Sequence, residues 1–394
     1  MSNDPIVIVG AARTPMGHFG GYFKDLPASQ LGAAAIKAAI ERANLSPADI
    51  QEVLMGCVLQ AGQGQAPARQ AMIAAGIPVN AGATTINKMC GSGMKAIMIG
   101  HDEIVADSFA TVIAGGMENM SWAPYLIPKA RFGYRLGHAE IYDHMMLDGL
   151  EDAYDKGKAM GVFAENCVEK YHATREAMDK FALESLHRAK KANEDGTFSE
   201  EIVPITIKTR TEDITVTQDE NAMKANPEKI PKLRTAFKKE GKVTAANSSS
   251  ISDGAAAVVL MKASEAKKRH LKPLAKIVGH ATHSQEPAWF TTAPIGAIQN
   301  LLQKINWNKD DVDLYEINEA FAIVTMAAMK DLDLPHDKVN IHGGACALGH
   351  PIGASGARII VTLLYALRQK NLKRGIASLC IGGGEATAVA IELV

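Results

Sequence analysis

The stretch Ile86-Asn87-Lys88-Met89-Cys90-Gly91-Ser92-Gly93-Met94 ends an apolar run on a cysteine and then turns through glycine. A second stretch, Ser378-Leu379-Cys380-Ile381-Gly382-Gly383-Gly384-Glu385, repeats that arrangement 290 residues later. Between them, Asn340-Ile341-His342-Gly343-Gly344-Ala345-Cys346-Ala347-Leu348-Gly349-His350-Pro351 puts histidine in an equally glycine-rich setting. Glycine has no Cβ to obstruct a ligand, so backbone amides in such turns can approach one closely. Two thiols, an imidazole and free amides together predict acyl transfer through a covalent thioester.

The bulk composition narrows the field. At 394 residues the chain exceeds what one hydrophobic core spans, so two or three domains are expected. Hydrophobic residues at 47% and charged residues at 22% fit a globular protein rather than a disordered one. The 42 basic and 43 acidic side chains nearly cancel, so no global field favours nucleic acid or an anionic membrane. No apolar run approaches the length of a membrane span. Met1-Ser2-Asn3-Asp4 leads almost directly into Pro5-Ile6-Val7-Ile8-Val9-Gly10, which leaves no room for a cleaved signal or transit peptide. Five cysteines without CxxC spacing argue against a disulfide framework and against a zinc site, so no metal is expected. A reducing cytoplasm suits them.

Periodicity gives the organisation. Ile6 to Val9, Glu52 to Met55 and Ala110 to Ala114 read as strands; Leu31 to Ala43 and Gly93 to Val105 read as helices. The C-terminal part follows with helices at Ile295 to Ile305 and Ala354 to Arg368, and strands at Leu314 to Ile317 and Ile376 to Cys380. Ile36 to Gly56 can be laid without a gap on Ile298 to Asn318, matching Ile36/Ile298, Asn44/Asn306 and Asp49/Asp311. Ala114-Gly115-Gly116-Met117-Glu118 also echoes Ile381-Gly382-Gly383-Gly384-Glu385. These features predict an α/β protein of two similar halves. The middle, roughly 122–246, is different: it carries most of the tyrosines, many charges and an amphipathic helical pattern from Glu165 to Ala192. It reads as one large insertion, after which Ala256 to Leu260 returns to core-like strand.

Several side chains can carry the chemistry. Cys90 stands at the start of the helix that opens near Gly93, where dipole and free amides are expected to lower its pKa. The competing reading is a buried structural cysteine. Among the 12 histidines, His350 is the best-placed proton acceptor, with His342 second. Cys380 ends a strand and suits a general acid or base. Asn318, in Asn318-Glu319-Ala320-Phe321-Ala322, can hold a water or bind an oxyanion; its alternative is an ordinary helix N-cap. Lys224 to Lys242 and Lys267-Lys268-Arg269-His270 are either solvated faces or a groove for a polyphosphate-bearing ligand. No Walker pattern or strand-linked GxGxxG is present, which disfavours nucleotide hydrolysis and dinucleotide redox chemistry.

Taken together these segments resemble the thiolase family over essentially the whole chain, from Val9-Gly10-Ala11-Ala12-Arg13-Thr14-Pro15 to the glycines after Cys380. Four separated motifs carry the likeness: 87–93, 318–322, 349–351 and 380–384. The resemblance implies a five-layered α-β-α-β-α fold, with an N-terminal half at 1–121 completed by 247–272, a loop domain at 122–246, and a C-terminal half at 273–394. It implies an acetyl-CoA C-acetyltransferase with Cys90 as nucleophile, His350 as its activating partner and Cys380 as the acid/base. Asn318, through a water, would hold the second thioester oxygen together with His350. The amides of Cys90 and Gly382 would hold the tetrahedral oxyanion. Ser249 matches a serine that contacts pantetheine; Met160 and Phe290 fall along the acyl and pantetheine tunnel; Lys224 falls loosely near the adenine end. Coenzyme A thioesters are implied as substrates, with no permanently bound cofactor, and the partners are acyl-CoA and CoA. A homotetramer or homodimer is implied, with 122–160 resembling a tetramerisation loop. Departures at Ala159, His342, Phe290 and Ser250 bear on acyl-chain preference. The alternatives are a 3-ketoacyl-CoA thiolase of broader chain length in fatty-acid breakdown and, more remotely, a non-catalytic acyl-CoA-binding protein.

Overall fold

The computed structural model describes residues 4–394. Its N-terminal half comprises strand β1 (Ile6–Arg13), helix α1 (Ala28–Arg42), β2 (Glu52–Gly56), α2 (Pro67–Ala74), β3 (Gly82–Ile86), α3 (Ser92–Val105) and β4 (Thr111–Asn119). Within the following insertion lie α4 (Met160–Tyr171) and α5 (Arg175–Glu194). The chain then returns as β5 (Ser252–Lys262). Its C-terminal half holds β6 (Ala275–Ser284), α6 (Ala293–Ile305), β7 (Leu314–Ile317), α7 (Ala322–Leu332), α8 (Ile352–Lys370), β8 (Arg374–Ile381) and β9 (Glu385–Leu393).

The ladders run β3-β2-β4-β5-β1 in the first half and β7-β8-β9-β6 in the second. The two sets meet where Val7 and Ile8 of β1 pair with Lys276 and Ala275 of β6. Pairing sense matches between halves. The β2/β4 and β7/β8 pairs are parallel, while β4/β5, β5/β1, β8/β9 and β9/β6 are antiparallel. The one strand without a full mate is β3, whose counterpart shrinks to a single parallel bridge between Tyr315 and Val339.

The offset seen in the sequence reappears in three dimensions. β1 bulges between Ile8 and Gly10, and β6 bulges between Ile277 and Gly279. A Cβ on Gly10 would lie 2.1 Å from the Ala39 carbonyl oxygen and 2.8 Å from the Ala43 side chain; one on Gly279 would meet Ile305 at 2.7 Å and Leu301 at 3.8 Å. Ala39 and Ala43 are the residues that the Ile36/Ile298 alignment places on Leu301 and Ile305. Each half thus presses a helix onto a bulged glycine at corresponding turns.

Side chains alternate across both faces of the sheets, and both faces are buried. Val7 and Val9 join α1 and α2 in one cluster, whereas Ile6 and Ile8 join α3 and α8 in the next. Ala377, Leu379, Val389 and Ile391 close the second side of that middle cluster, and Ile376, Ala386, Ala388 and Ala390 face α6 and α7. Five layers result, with α3 and α8 innermost.

Three differences from the sequence reading have plain causes. β4 runs on through Gly115 and Gly116 instead of stopping at Ala114, because the backbones of β5 and α8 approach too closely for side chains there. A Cβ on either glycine would lie 2.1 Å from a carbonyl oxygen, of Ala256 or Gly353 respectively. The supposed echo of that segment in 381–385 is therefore not structural, since Gly382 to Gly384 form the turn between β8 and β9. The pattern from Glu165 to Ala192 is two helices, broken at His172 in the left-handed conformation (φ 52°) and restarted by Thr174, whose hydroxyl accepts from the Ala177 amide.

The insertion is tied to β1 through a buried ion cluster. Arg13 reaches Asp219 with both terminal nitrogens, at 2.6 and 3.0 Å, and Glu201 with Nε at 2.5 Å, while its guanidinium lies over the Phe198 ring. A charge this deep requires such complete pairing, because an unpartnered one costs several kcal/mol.

Candidate active site

The site is assembled where α3 and α8 cross. Both helices enter the crossing at glycine: a Cβ on Gly93 would stand 2.9 Å from the Gly353 carbonyl oxygen, and one on Gly356 would stand 2.5 Å from the Met94 amide nitrogen. Cys90 lies two residues before α3, and His350 lies two residues before α8. Close packing of the helix starts therefore brings together segments from opposite halves, and Ile352 of α8 belongs to the cluster that Cys90 packs against.

The turn bearing Cys90 is held by its own polar residues. Met89 adopts a positive φ of 47°, a conformation that side-chain-bearing residues rarely take. The Asn87 side-chain oxygen accepts from the Met89 amide at 3.0 Å. Ser92 Oγ accepts from the Lys88 amide at 2.8 Å and donates to the Met89 carbonyl at 2.6 Å. Gly91 passes directly beneath Ile381, whose Cδ1 would be 2.3 Å from an added Cβ. Lys88 Nζ bonds Glu385 at 2.6 Å and links this turn to the one after Cys380.

Cys90 Sγ lies against the amides of Gly382 and of Cys90 itself. Cys380, two residues before Gly382, is buried in a cluster with Phe163, Cys167, Phe290, Phe321 and Cys346. The sulfurs of Cys90 and Cys380 are near enough to interact: burial first, and then the neighbouring Cys90, push the Cys380 thiol well above the ordinary thiol range.

Electrostatics corrects one expectation. Burial pushes the Cys90 thiol up to about 11, against the lowering effect of the two amides. The packed surroundings, among them Val58, Leu59, Met120 and Ile352, outweigh the helix dipole. His350 is pushed down to about 3 by burial and then by the Arg358 charge. At rest the Cys90 thiol and the His350 imidazole are both neutral.

The hydrogen bonds of His350 fix its tautomer. Ser355 Oγ lies 2.5 Å from His350 Nδ1 and donates its single proton to the Pro351 carbonyl at 2.9 Å. The hydroxyl must therefore accept from Nδ1–H, which leaves Nε2 with its lone pair. That Nε2 is buried and has no partner. Asn318 Oδ1 is likewise buried and unpartnered, while Asn318 Nδ2 stands 3.4 Å from the protonated Nδ1. Turning the amide over brings its oxygen to Nδ1–H and directs the NH2 donors outward, an arrangement better satisfied chemically. Asn318 itself is braced by Asn340, which accepts from the Ile317 amide at 2.9 Å and donates to the Ile317 carbonyl at 2.8 Å.

A cavity of about 430 Å³ opens over this group, lined by His18, Met160, Phe237, Ser249, Phe321 and His350 among others. Neither catalytic-candidate sulfur belongs to the lining itself; Ile352 and Phe321, which do, share the clusters containing Cys90 and Cys380. Met160 Sδ would be 3.7 Å from a Cβ on Gly382. Phe290 is buried in the Cys380 cluster, edge-on to Phe163 at 6.5 Å.

Other sequence candidates fall elsewhere. His342 does not reach this cavity; it lines a separate cleft with His187, Arg188, Lys191, Asp195 and Lys370, where burial pushes it down to about 4. Lys224 lines an adjoining cleft of about 270 Å³ that shares His18, Ala245 and Ser250 with the first, and its ammonium is 2.5 Å from Glu220. In the basic run 267–270, Arg269 is occupied by Glu265 and Asp49, so that run is a salt-bridged surface rather than a ligand groove.

One buried carboxylate escaped the sequence reading. Glu118 accepts from the amides of Val58, Leu59 and Gly353 at 2.9, 3.1 and 2.9 Å, and so joins the wall beside Cys90 to the first turn of α8. Burial raises it to about 7. Only its place in the Gly-Gly-Met-Glu stretch hinted at it.

The thiolase N-terminal domain model matches residues 6–264 and the thiolase C-terminal domain model matches 271–393. The chain belongs to the thiolase family. It is 48% identical over 396 residues to the acetyl-CoA acetyltransferase of Schizosaccharomyces pombe, covering 100% of each. It is 47% identical over 389 residues to a probable acetyl-CoA acyltransferase of Staphylococcus aureus strain N315, covering 98% of each. Among solved structures it is similar to the Bacillus anthracis acetyl-CoA acetyltransferase, with a TM-score of 0.96, 42% identity and 99% coverage of each chain. It is also similar to the Acat5 thiolase of Ascaris suum in complex with coenzyme A, with a TM-score of 0.93 and 41% identity, covering 99% of this chain and 100% of that one.

In this thiolase the half-buried, neutral Cys90 makes a specific kinetic prediction. Its iodoacetamide alkylation rate, followed by peptide mass spectrometry in the ligand-free protein, should rise about tenfold per pH unit from pH 7 to 10, because the thiolate fraction grows that way below the pKa. A rate that levels off below pH 8 would contradict the neutral resting thiol.

Proposed function

We propose that this thiolase is an acetyl-CoA C-acetyltransferase, joining two acetyl-CoA into acetoacetyl-CoA plus CoA and running thiolysis in reverse. The observation that carries this reading is the unpartnered His350 Nε2 on the cavity, with Cys90 Sγ beneath the Gly382 amide. A base lone pair and an amide pair beside a thiol are what acyl transfer to sulfur requires.

The steps balance as follows. Cys90 passes its proton to His350 Nε2 and its sulfur attacks the thioester carbonyl; the amides of Cys90 and Gly382 hold the oxyanion. The departing CoA thiolate takes the proton of Cys380, leaving acetyl-Cys90, a protonated His350 and a Cys380 thiolate. A second acetyl-CoA then places its methyl at Cys380, which removes a proton. The enolate oxygen is held by His350 Nε2–H and by Asn318, through a water. The carbanion attacks acetyl-Cys90, and the Cys90 sulfur leaves and recovers its proton from His350. One thiol cannot be acylated and act as base at once, so the second is indispensable. Removing one oxyanion donor in such a site costs roughly a hundred- to a thousand-fold in turnover.

Ser249, on the cavity wall, is assigned to the pantetheine arm, and Lys224 to the outer cleft toward the nucleotide end. The halves are assigned to 1–121 with 247–272 and to 273–394, and the loop domain to 122–246. Among the described residues no helix is long and apolar enough to cross a membrane. A cytoplasmic enzyme without a permanent cofactor fits this reading.

Incubated with labelled acetyl-CoA, Cys380→Ala should acquire an acetyl group on Cys90 yet neither condense nor cleave, whereas Cys90→Ala should acquire none. An unlabelled Cys90 in the native chain would leave a non-catalytic acyl-CoA-binding protein as the better reading.

Phe290 and Met160 limit the acyl end to a short chain. Native thiolysis should favour C4 over C8 3-ketoacyl-CoA, and Phe290→Ala should raise the C8-to-C4 ratio of kcat/KM at least about tenfold, the value of one or two buried methylenes. A native preference for C8 would favour the broad-chain 3-ketoacyl-CoA thiolase instead.

Assembly is assigned to a homotetramer through the 122–160 segment. Phe132 and Leu136 are 87% and 99% exposed there, an apolar tip that a second copy would cover. Light scattering should give four chains for the native protein and two for Phe132→Asp/Leu136→Asp; a native dimer unaltered by that change would refute the assignment.

A further inference from the structure

Away from the thiol site, the end of α3 meets β6 in a cluster of His101, Asp102 and His280. His101 Nδ1 and His280 Nε2 both lie 2.9 Å from the same oxygen, Asp102 Oδ1, and the two rings stand edge to face at 5.1 Å. All three potential ligand atoms fall within 4.8 Å of one another. None of these residues lines a described cavity, and none takes part in the acyl-transfer scheme.

We propose that His101, Asp102 and His280 form a binding site for a divalent cation of the zinc class, clamping the central helix layer to the C-terminal sheet. The donor set is two imidazole nitrogens and one carboxylate oxygen, which suits borderline metals such as Zn2+ and Ni2+ rather than Mg2+ or Ca2+. Spacing agrees with this. Adjacent ligands of a metal with bonds of about 2.1 Å are separated by about 3.0 Å in an octahedron and about 3.4 Å in a tetrahedron. The two nitrogen–oxygen separations already have that size. Binding requires each imidazole to carry its proton on the other ring nitrogen, so that the lone pairs of His101 Nδ1 and His280 Nε2 meet the ion, with a closing movement of the rings.

The setting is also suitable. The two histidine side chains are 18% and 12% exposed and so largely fixed, while Asp102 is 58% exposed and leaves a face open to water ligands. His280 is anchored through its carbonyl, which accepts from Lys304 Nζ at 2.9 Å, and through β6 pairing with Val389. The ligands come from two layers: His101 and Asp102 from α3, His280 from β6. A bound ion would therefore stabilise the docking of one on the other. Cysteine spacing, the only metal signal sought in the sequence, has no bearing on a site made by residues 178 positions apart.

The test is Zn2+ titration of the full-length chain by isothermal calorimetry, after alkylating accessible thiols so that sulfur cannot compete. One equivalent should bind, with affinity reduced at least about tenfold in His280→Gln and in Asp102→Asn, the size of effect expected from losing a metal-site group. Zn2+ should raise the thermal midpoint of the native protein and not of Asp102→Asn, whose exposed position makes it safe for folding. Thioester turnover of the unalkylated, metal-free protein should be unchanged in both variants. Absence of zinc binding by the native chain, or equal binding by native and variants, would overturn the proposal and leave a hydrogen-bonded His-Asp-His group. Neither result depends on the acyltransferase reading.

Discussion

The glycine-to-backbone contact between α3 and α8 is the constraint on which the site depends. Helices normally pack with axes 8–10 Å apart because side chains intervene. Here Gly93 and Gly356 remove those side chains, and would-be Cβ atoms would fall within 3 Å of the facing backbone, while Gly353 clears the same space against Cys57 and Glu118 of the first half. The starts of both helices consequently lie against each other, with Cys90 and His350 each two residues ahead of one of them. A side chain at any of these glycines would pry the halves apart at the reacting groups. Gly116 extends the same economy of space to β4, beneath the Gly353 carbonyl.

Tight packing also sets the electrostatics. A site this dry suppresses charge on every group within it. Cys90 and Cys380 are held as thiols and His350 as neutral imidazole. On the proposed mechanism, reactivity comes from proton transfer between positioned partners at the moment of attack, not from a thiolate stored in advance. The lone pair at His350 Nε2 is available because Ser355 Oγ takes the proton of Nδ1. Glu118 keeps its place by accepting three amides, which organises the wall and the start of α8, and its charge adds to the upward push on the Cys90 thiol.

Much of this was legible in the sequence. Strands and helices at both ends followed from periodicity, and the Ile36/Ile298 alignment correctly paired the helices that sit on Gly10 and Gly279. Cys90, His350, Cys380 and Asn318 each carry a local signature of glycine or a strand end; the fold sets Asn318 3.4 Å from His350 and brings the sulfurs of Cys90 and Cys380 near enough to interact. What escaped was nonlocal. Burial, not helix polarity, decides the state of Cys90, and no sequence window reports burial of a turn. His342 shares the glycine setting of His350, yet Gly343 and Gly344, pressed against α5 and Glu319, send it to another cleft. Ser355 and Asn340 act through a single hydrogen-bonded neighbour, so their types and spacing announce nothing. The His101, Asp102 and His280 cluster required a helix end and a strand from different layers.

The duplication explains why there is one site and not two. Cys90 and His350 are matched in position, each two residues ahead of an inner helix, so the pseudo-twofold supplies the proposed nucleophile from one half and its proposed base from the other. Cys380 and Asn318 break the symmetry. Ladder register pairs Met55 with Gly115 in the first half and Ile317 with Ser378 in the second. Because Met55 aligns with Ile317, the position equivalent to Cys380 is Met117, and that equivalent to Asn318 is Gly56. Met117 is wholly buried, with Sδ 2.5 Å from where a Cβ on Gly32 would stand; Gly56 lies flat against Ser92 and Gly93 of α3. The first half has thus filled its copy of the site with a thioether and closed it with backbone contact. Packing there holds the shared helices in place, and the polar pair stands in the second half alone.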